Sequence, residues 1–238
     1  MNMPSASPAD AAAPATPRIL VWDAPVRVFH WLMVISFAGA FLTAESERWR
    51  LVHVTLGYTM AGLVGFRLLW GVAGTRHARF ASFVRGPAAV LHYLRSLAGG
   101  RPQHHAGHNP AGALAIVALL AMTLLVTATG WSTYHALGGS ALEELHEGAA
   151  NALLAIVGLH LAGVLLSSWI HRTNLVAAMV HGHQPGLPQD GVRRAWRGVA
   201  VLMLLAVLGF WYAQWQSAPQ GVAGGTHAAA PAEDDDDR

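Results

Sequence analysis

The chain contains no cysteine and no lysine. Without cysteine there is no disulfide, no thiolate-held iron–sulfur cluster and no C-x-x-C-H attachment of a covalent haem. Any cofactor must therefore be held by histidine, methionine or oxygen. Charge is scarce as well: 12% of the 238 residues are charged, about half the share of an ordinary soluble domain. No internal repeat stands out, and no nucleic-acid partner is expected. The Ala/Pro/Ser-rich start lacks the basic-then-apolar pattern of a cleaved signal peptide, so residues 1–18 read as a disordered extension.

What is abundant is apolar: 53% of the chain is hydrophobic, and in blocks. Five windows, near 28–43, 51–73, 112–133, 148–170 and 197–215, have the length that a hydrocarbon core demands. Backbone polar groups in lipid must be satisfied within the segment, so these windows predict an all-α membrane protein. The fifth span falls within 186–216. The Gly/Ala/Pro-rich stretch 217–238, ending "EDDDDR", reads as a disordered acidic tail.

All fifteen basic residues are arginines, and they are placed unevenly. Arg18 and Arg27 precede the first span. Arg76, Arg79, Arg85, Arg95 and Arg101 lie between spans two and three, and Arg172, Arg193, Arg194 and Arg197 between spans four and five. The opposite side has Arg48, Arg50 and Arg238, together with Glu45, Glu47, Glu143, Glu144, Glu147 and the acidic tail. The positive-inside rule then predicts a cytoplasmic N-terminus and a C-terminus on the far side of the membrane.

Fourteen histidines are many for a membrane protein of this size. In "HEGAANALLAIVGLH", His146 and His160 are fourteen residues apart. That is nearly four turns, which puts both imidazoles on one helix face, about 21 Å apart. On the predicted topology His53 and His146 lie near the outer face, and His30 and His160 toward the inner one. Two His/His pairs at two depths are what two stacked b-type haems need, with each iron taking two axial nitrogens from facing helices. Singly, each histidine also fits an interhelical hydrogen bond or a headgroup contact. Gly57, Gly148 and Gly158 near these histidines would let a macrocycle approach, although they serve helix packing equally. Arg67 stands fourteen residues after His53, on the same face and at the depth of the inner pair. It has three readings: a haem propionate partner, a quinone contact, or an arginine snorkelling to the surface.

Taken together, "VWDAPVRVFHW", "HVTLGYTMAGLVGFRLLWG", "GHNPAGA" and "HEGAANALLAIVGLH" resemble the bacterial cytochrome b561 / nickel-iron hydrogenase cytochrome b family over about residues 19–185. The resemblance implies a four-helix transmembrane haem-binding bundle over 19–185, with the fifth helix added C-terminally. It implies two non-covalent haem b groups, with ligand pairs His30–His160 and His53–His146. It also implies an inner-membrane electron carrier between the quinone pool and a c-type cytochrome or a dehydrogenase- or hydrogenase-like partner, with a periplasmic C-terminus. A homodimer is compatible with it. Some four-span relatives instead suggest a superoxide:quinone oxidoreductase. A haem-free transporter ranks last, because paired broken helices are absent.

Other histidine groups read as incidental. "RPQHHAGHNP", with His104, His105 and His108, is a Gly/Pro-bounded loop without a carboxylate and makes a poor metal cage. His181 and His183 read the same way, and "HEGAAN" lacks the second histidine of a zinc-protease motif. "GPAAVLHYLRSLAGG" predicts a short amphipathic helix on the membrane surface, with Pro87 in its first turn.

Overall fold

A computed structural model describes residues 17–99 and 107–218. In chain order the elements are β1 (Arg18–Leu20), α1 (Ala24–Thr43), α2 (Arg50–Ala73), α3 (Phe80–Phe83), α4 (Pro87–Ala98), α5 (Pro110–Tyr134), α6 (Gly139–Ile170), α7 (Leu175–His181), β2 (His183–Pro185) and α8 (Arg197–Gln216). Helices α1, α2, α5, α6 and α8 are long and apolar enough to cross a membrane. They coincide with the five apolar windows, so the protein is a multi-pass helical membrane protein.

The ends of these helices follow from local chemistry. Asp23 caps α1 by accepting a hydrogen bond from the Val26 amide at 2.9 Å, with Pro25 in the first turn. Asn109 caps α5 by accepting from the Gly112 amide at 2.7 Å, with Pro110 next in line. Helix α6 starts at Gly139, earlier than its apolar window, because Ala, Leu and Glu continue a helix past the point where hydropathy falls. Its residues Glu143, Glu144 and Glu147 thus lie on the helix, at the acidic end of the bundle.

Helix α1 packs on α2, α5 on α6, and α2 on α5, while α8 lies against α1 and touches α2. The central core joins Ala40, Leu56, Met60 and Leu153, with Phe37, Met122 and Val157 against it. A second cluster, of Leu32, Leu63 and Met203, seats α8. Farther along α8, beside the central core, the Trp211 indole donates to Thr59 Oγ1 at 2.8 Å, whose own hydroxyl donates to the Thr55 carbonyl. Exposed leucines such as Leu69, Leu159 and Leu205 face outward, as a lipid-bathed bundle requires.

The arginine-rich end departs from a purely helical reading. Strands β1 and β2 pair antiparallel with Ile19 opposite Gln184. The amides of Val21 and Trp22 both donate to the Gly182 carbonyl, at 2.9 and 3.0 Å. Gly182 has φ +87°, and a Cβ there would meet the Trp22 carbonyl at 2.7 Å, so only glycine fits. This clasp ties the chain entering α1 to the chain leaving α7. Arg18, expected to end the disordered extension, is its first paired residue. The remainder of that extension before Pro17, the tail after Ala218, and His104 and His105 lie outside the described residues.

Asp23 is the centre of this end. It is 1% exposed, and besides capping α1 it accepts from the Trp70 indole at 3.0 Å and from Thr75 Oγ1 at 2.7 Å. Removing the carboxylate would leave one buried donor and two part-buried donors without this partner. Asp23→Ala is therefore expected to destabilise the protein by on the order of 3 kcal/mol, read as a lower unfolding midpoint in detergent. An unchanged midpoint would remove Asp23 from this role.

Candidate functional site

Seven-residue spacing organises the bundle interior. On α2, His53, Met60 and Arg67 follow one another at that interval, and on α6 so do His146, Leu153 and His160. Seven residues are close to two turns, about 10.5 Å of rise, so each set lines one face. Met60 is 3% exposed and Leu153 2%, and both belong to the central core. They form an apolar septum with one histidine level on each side, and they keep the levels apart.

At the acidic-end level the structure brings His53 and His146 together, with ring centroids 6.3 Å apart and planes at 86°. Each ring is oriented from behind. His53 Nδ1 lies 2.8 Å from the Ala40 carbonyl, and His146 Nδ1 lies 3.0 Å from the Val126 carbonyl and 3.2 Å from Thr129 Oγ1. A carbonyl oxygen only accepts, so Nδ1 carries the proton in both rings and the Nε2 lone pairs stay available. This is the arrangement that fixes the tautomer of a metal-binding histidine. Gly130 makes it feasible for His146, since a Cβ there would stand 2.7 Å from its Cε1.

At the arginine-end level, His30 and His160 are close enough to interact electrostatically. The His30 ring meets Trp31 edge-on at 5.2 Å, and its buried Nδ1 has no hydrogen-bond partner. Among the described residues, no carbonyl anchors this pair as in the other.

Arg67 does not snorkel. It is 3% exposed and turns inward, with its guanidinium carbon 4.7 Å from the Phe80 ring centre and 6.0 Å from that of Phe83. Asp23 attracts it electrostatically, but the Asp23 oxygens are already taken by Val26, Trp70 and Thr75, and Arg67 Nη1 is buried without a hydrogen bond. A buried cation in that condition has an unmet demand for an acceptor.

In the sequence His108 reads as an incidental loop residue. The structure places it against the Trp22 ring at 4.5 Å and the Phe83 ring at 4.4 Å, so that Phe83 is shared with Arg67. Its Nδ1 is sealed and unpartnered. Burial, and then the charges of Arg67, His77 and His160, push its pKa down to about 3, so it stays neutral. The signal for this placement lay in "GHNP": the Asn109 cap and Pro110 fix where α5 begins, and thereby where the preceding residue sits. His77, likewise unremarked, bonds the Asp190 carbonyl through Nε2 at 2.8 Å. His181 and His183 are occupied within the β1–β2 clasp, where Arg18 donates to His181 Nε2 at 3.0 Å.

The arrangement fits a flat, two-ligand group better than a metal cage. No group of three or more potential ligands gathers among the described residues. Beside the paired histidines, a Cβ added at Gly57, Gly148 or Gly158 would meet nothing within 4 Å, so the backbone leaves open space there. At the acidic end, Arg50 at the start of α2 is paired with the exposed Glu47 at 3.6 Å.

Comparison with known proteins matches residues 21–182 to the profile of prokaryotic cytochrome b561. A probable Ni/Fe-hydrogenase 1 B-type cytochrome subunit of Escherichia coli K12 is 26% identical over 140 residues, covering 48% of this chain and 59% of that protein. A probable Ni/Fe-hydrogenase B-type cytochrome subunit of Azotobacter vinelandii is 29% identical over 143 residues, covering 49% and 59%. The counterpart from Rhodobacter capsulatus is 20% identical over 214 residues, covering 70% and 81%. The chain thus spans 59% of the length of the first two of these curated relatives. No solved structure matches.

Because Arg67 has no direct ion pair among the described residues, its charge burdens the cofactor-free bundle. Arg67→Met is expected to stabilise the cofactor-free protein by on the order of 1 kcal/mol, measured by thermal unfolding in detergent. A clear loss of stability would make Arg67 a structural strut rather than a waiting ligand contact.

Proposed function

This chain belongs to the prokaryotic cytochrome b561 family, and from that premise we propose that it carries electrons across the membrane on two non-covalent haem b groups, one at each histidine level. His53 and His146 hold one, and His30 and His160 the other. The observation that carries the reading is the register that sets His53 and His146 6.3 Å apart, with each Nδ1 anchored on a carbonyl. Haem supplies a one-electron couple when bound.

The chain's own residues do the rest. The Ala40 and Val126 carbonyls orient the ligand rings and raise their basicity. Met60 and Leu153 hold the two levels at a fixed separation and keep water out between them. Arg67 Nη1 and His108 Nδ1, both sealed and unpartnered, receive an oxygen group at the arginine-end level: a propionate, or the headgroup of a quinone. The arginine-rich end is the cytoplasmic one, and the C-terminus is periplasmic. Quinone exchanges electrons at the arginine-rich end, where α4 lies alongside α5. A hydrogenase-type subunit, as the names of the relatives suggest, or a c-type cytochrome docks at the acidic end, which suits a partner with a basic face.

A pyridine haemochrome assay is expected to give one b-type haem per histidine pair. Replacing His53 or His146 should remove one spectral component, and replacing His30 or His160 the other. Gly130→Val should reproduce the His146 phenotype, because its side chain displaces that ring. Loss of the same component from His30 and His146 variants would refute the pairing.

Arg67→Gln separates the two roles of the arginine. If Arg67 contacts quinone, quinone-dependent turnover falls while reduction of the acidic-end haem by the partner persists. If it holds only a propionate, the potential of the arginine-end haem shifts and quinone affinity is unchanged. A quinone-site inhibitor that perturbs only the acidic-end haem would overturn the placement.

A further inference from the structure

A second site stands apart from the histidines, where α2 ends and α8 begins. A cleft of about 430 Å³ is lined by Thr75, Arg76, Gln189, Arg193, Arg194 and Trp196, among others. Its walls are already fixed. The Ala24 amide donates to the Ala195 carbonyl at 2.8 Å, the Val192 amide to the Leu20 carbonyl at 2.7 Å, and Trp196 meets Trp70 edge-on at 5.7 Å. Trp196 is held at φ +53°, a strained conformation for a bulky residue, at the head of α8. The charge is unbalanced. Arg76 pairs with Asp190 at 3.3 Å, whereas Arg193 and Arg194 form no ion pair among the described residues.

The position of the cleft identifies what it takes. Helix α8 enters its apolar run at Arg197, so the arginines stand at headgroup level. Apolar faces lead away from the cleft on both helices. On α2, Leu68, Leu69 and Val72 lie in the last two turns, shortly before Thr75 and Arg76. On α8, Val201, Leu205 and Leu208 follow Arg197 at helical spacing, and all six of these apolar side chains are exposed. A cationic cleft at the ends of two helices that carry exposed apolar side chains matches an amphipathic anion, not a soluble one. We propose that this cleft binds the headgroup of an anionic diacyl phospholipid, with the phosphate between Arg193 and Arg194, the Trp196 ring at the interface and the acyl chains along α2 and α8. A lipid there braces α8 against the first two spans, where Trp211 and Thr59 make the deeper link.

Native mass spectrometry of the full-length holoprotein in detergent tests this, with phosphatidylglycerol and phosphatidylcholine of identical chains as probes. Phosphatidylglycerol should be retained roughly tenfold better than phosphatidylcholine. The preference should vanish in Arg193→Gln/Arg194→Gln and persist in Arg193→Lys/Arg194→Lys, with the haem absorption spectrum unaltered in both. Equal retention of the two lipids by the wild type overturns the proposal without recourse to any variant. Displacement of phosphatidylglycerol by excess inorganic phosphate overturns it in favour of a free-anion site. A preference that survives Arg193→Gln/Arg194→Gln places any lipid elsewhere and overturns it as well.

Discussion

A seven-residue register on two facing helices is the constraint on which this molecule depends. An α-helix turns through almost two full revolutions in seven residues and drifts by only about 20°. His53, Met60 and Arg67 on α2 therefore stay on one face, as do His146, Leu153 and His160 on α6. Shifting either helix by one residue would carry its whole set off the interior by about 100°. The close packing of Met60 and Leu153 in the central core resists such a shift. The same packing that holds the bundle together thus sets the separation of the two histidine levels.

The two levels are built from the same residue type but are not chemically equivalent. At the acidic end, backbone carbonyls hold both Nδ1 protons, and Gly130 gives His146 the room to stand where it does. At the arginine end, the His30 Nδ1 has no such anchor, and the surroundings are instead ionic: Arg67 buried beneath two phenylalanines, Asp23 just beyond it, and neutral His108 sharing the Phe83 ring. On the proposed reading, carbonyl anchoring makes the ligands of one haem more basic, while a buried cation acts on the other. Inequivalence of that kind gives an electron path a direction.

Asp23 shows how a largely apolar chain affords this concentration of polar groups. Its carboxylate caps α1 and at the same time draws in Trp70 and Thr75 from the end of α2. With both oxygens so engaged it attracts Arg67 without touching it, and leaves the guanidinium open to a ligand. The β1–β2 clasp and the segment before α8 close over this node, so its charges act in a medium of low dielectric.

Much of this was legible in the residues. Blocks of apolar sequence specify membrane helices because lipid permits no unpaired backbone, and Pro87 marks the start of a short helix because a proline ring is compatible with the first turn. The predicted topology puts His53 and His146 near the same membrane face, and the fourteen-residue spacing sets His160 about four turns deeper than His146, because helix geometry converts sequence distance into depth. What the sequence could not disclose is lateral: which faces meet, and how closely. That the loop residue His108 packs tilted against Trp22 and Phe83, that Arg67 turns inward rather than to the surface, and that Arg18 pairs in a strand with Pro185 all depend on contacts between residues far apart in the chain. Spacing along one helix is a local property that the sequence determines by itself. The environment of a side chain belongs to its neighbours from other segments, and only the folded bundle decides which those are.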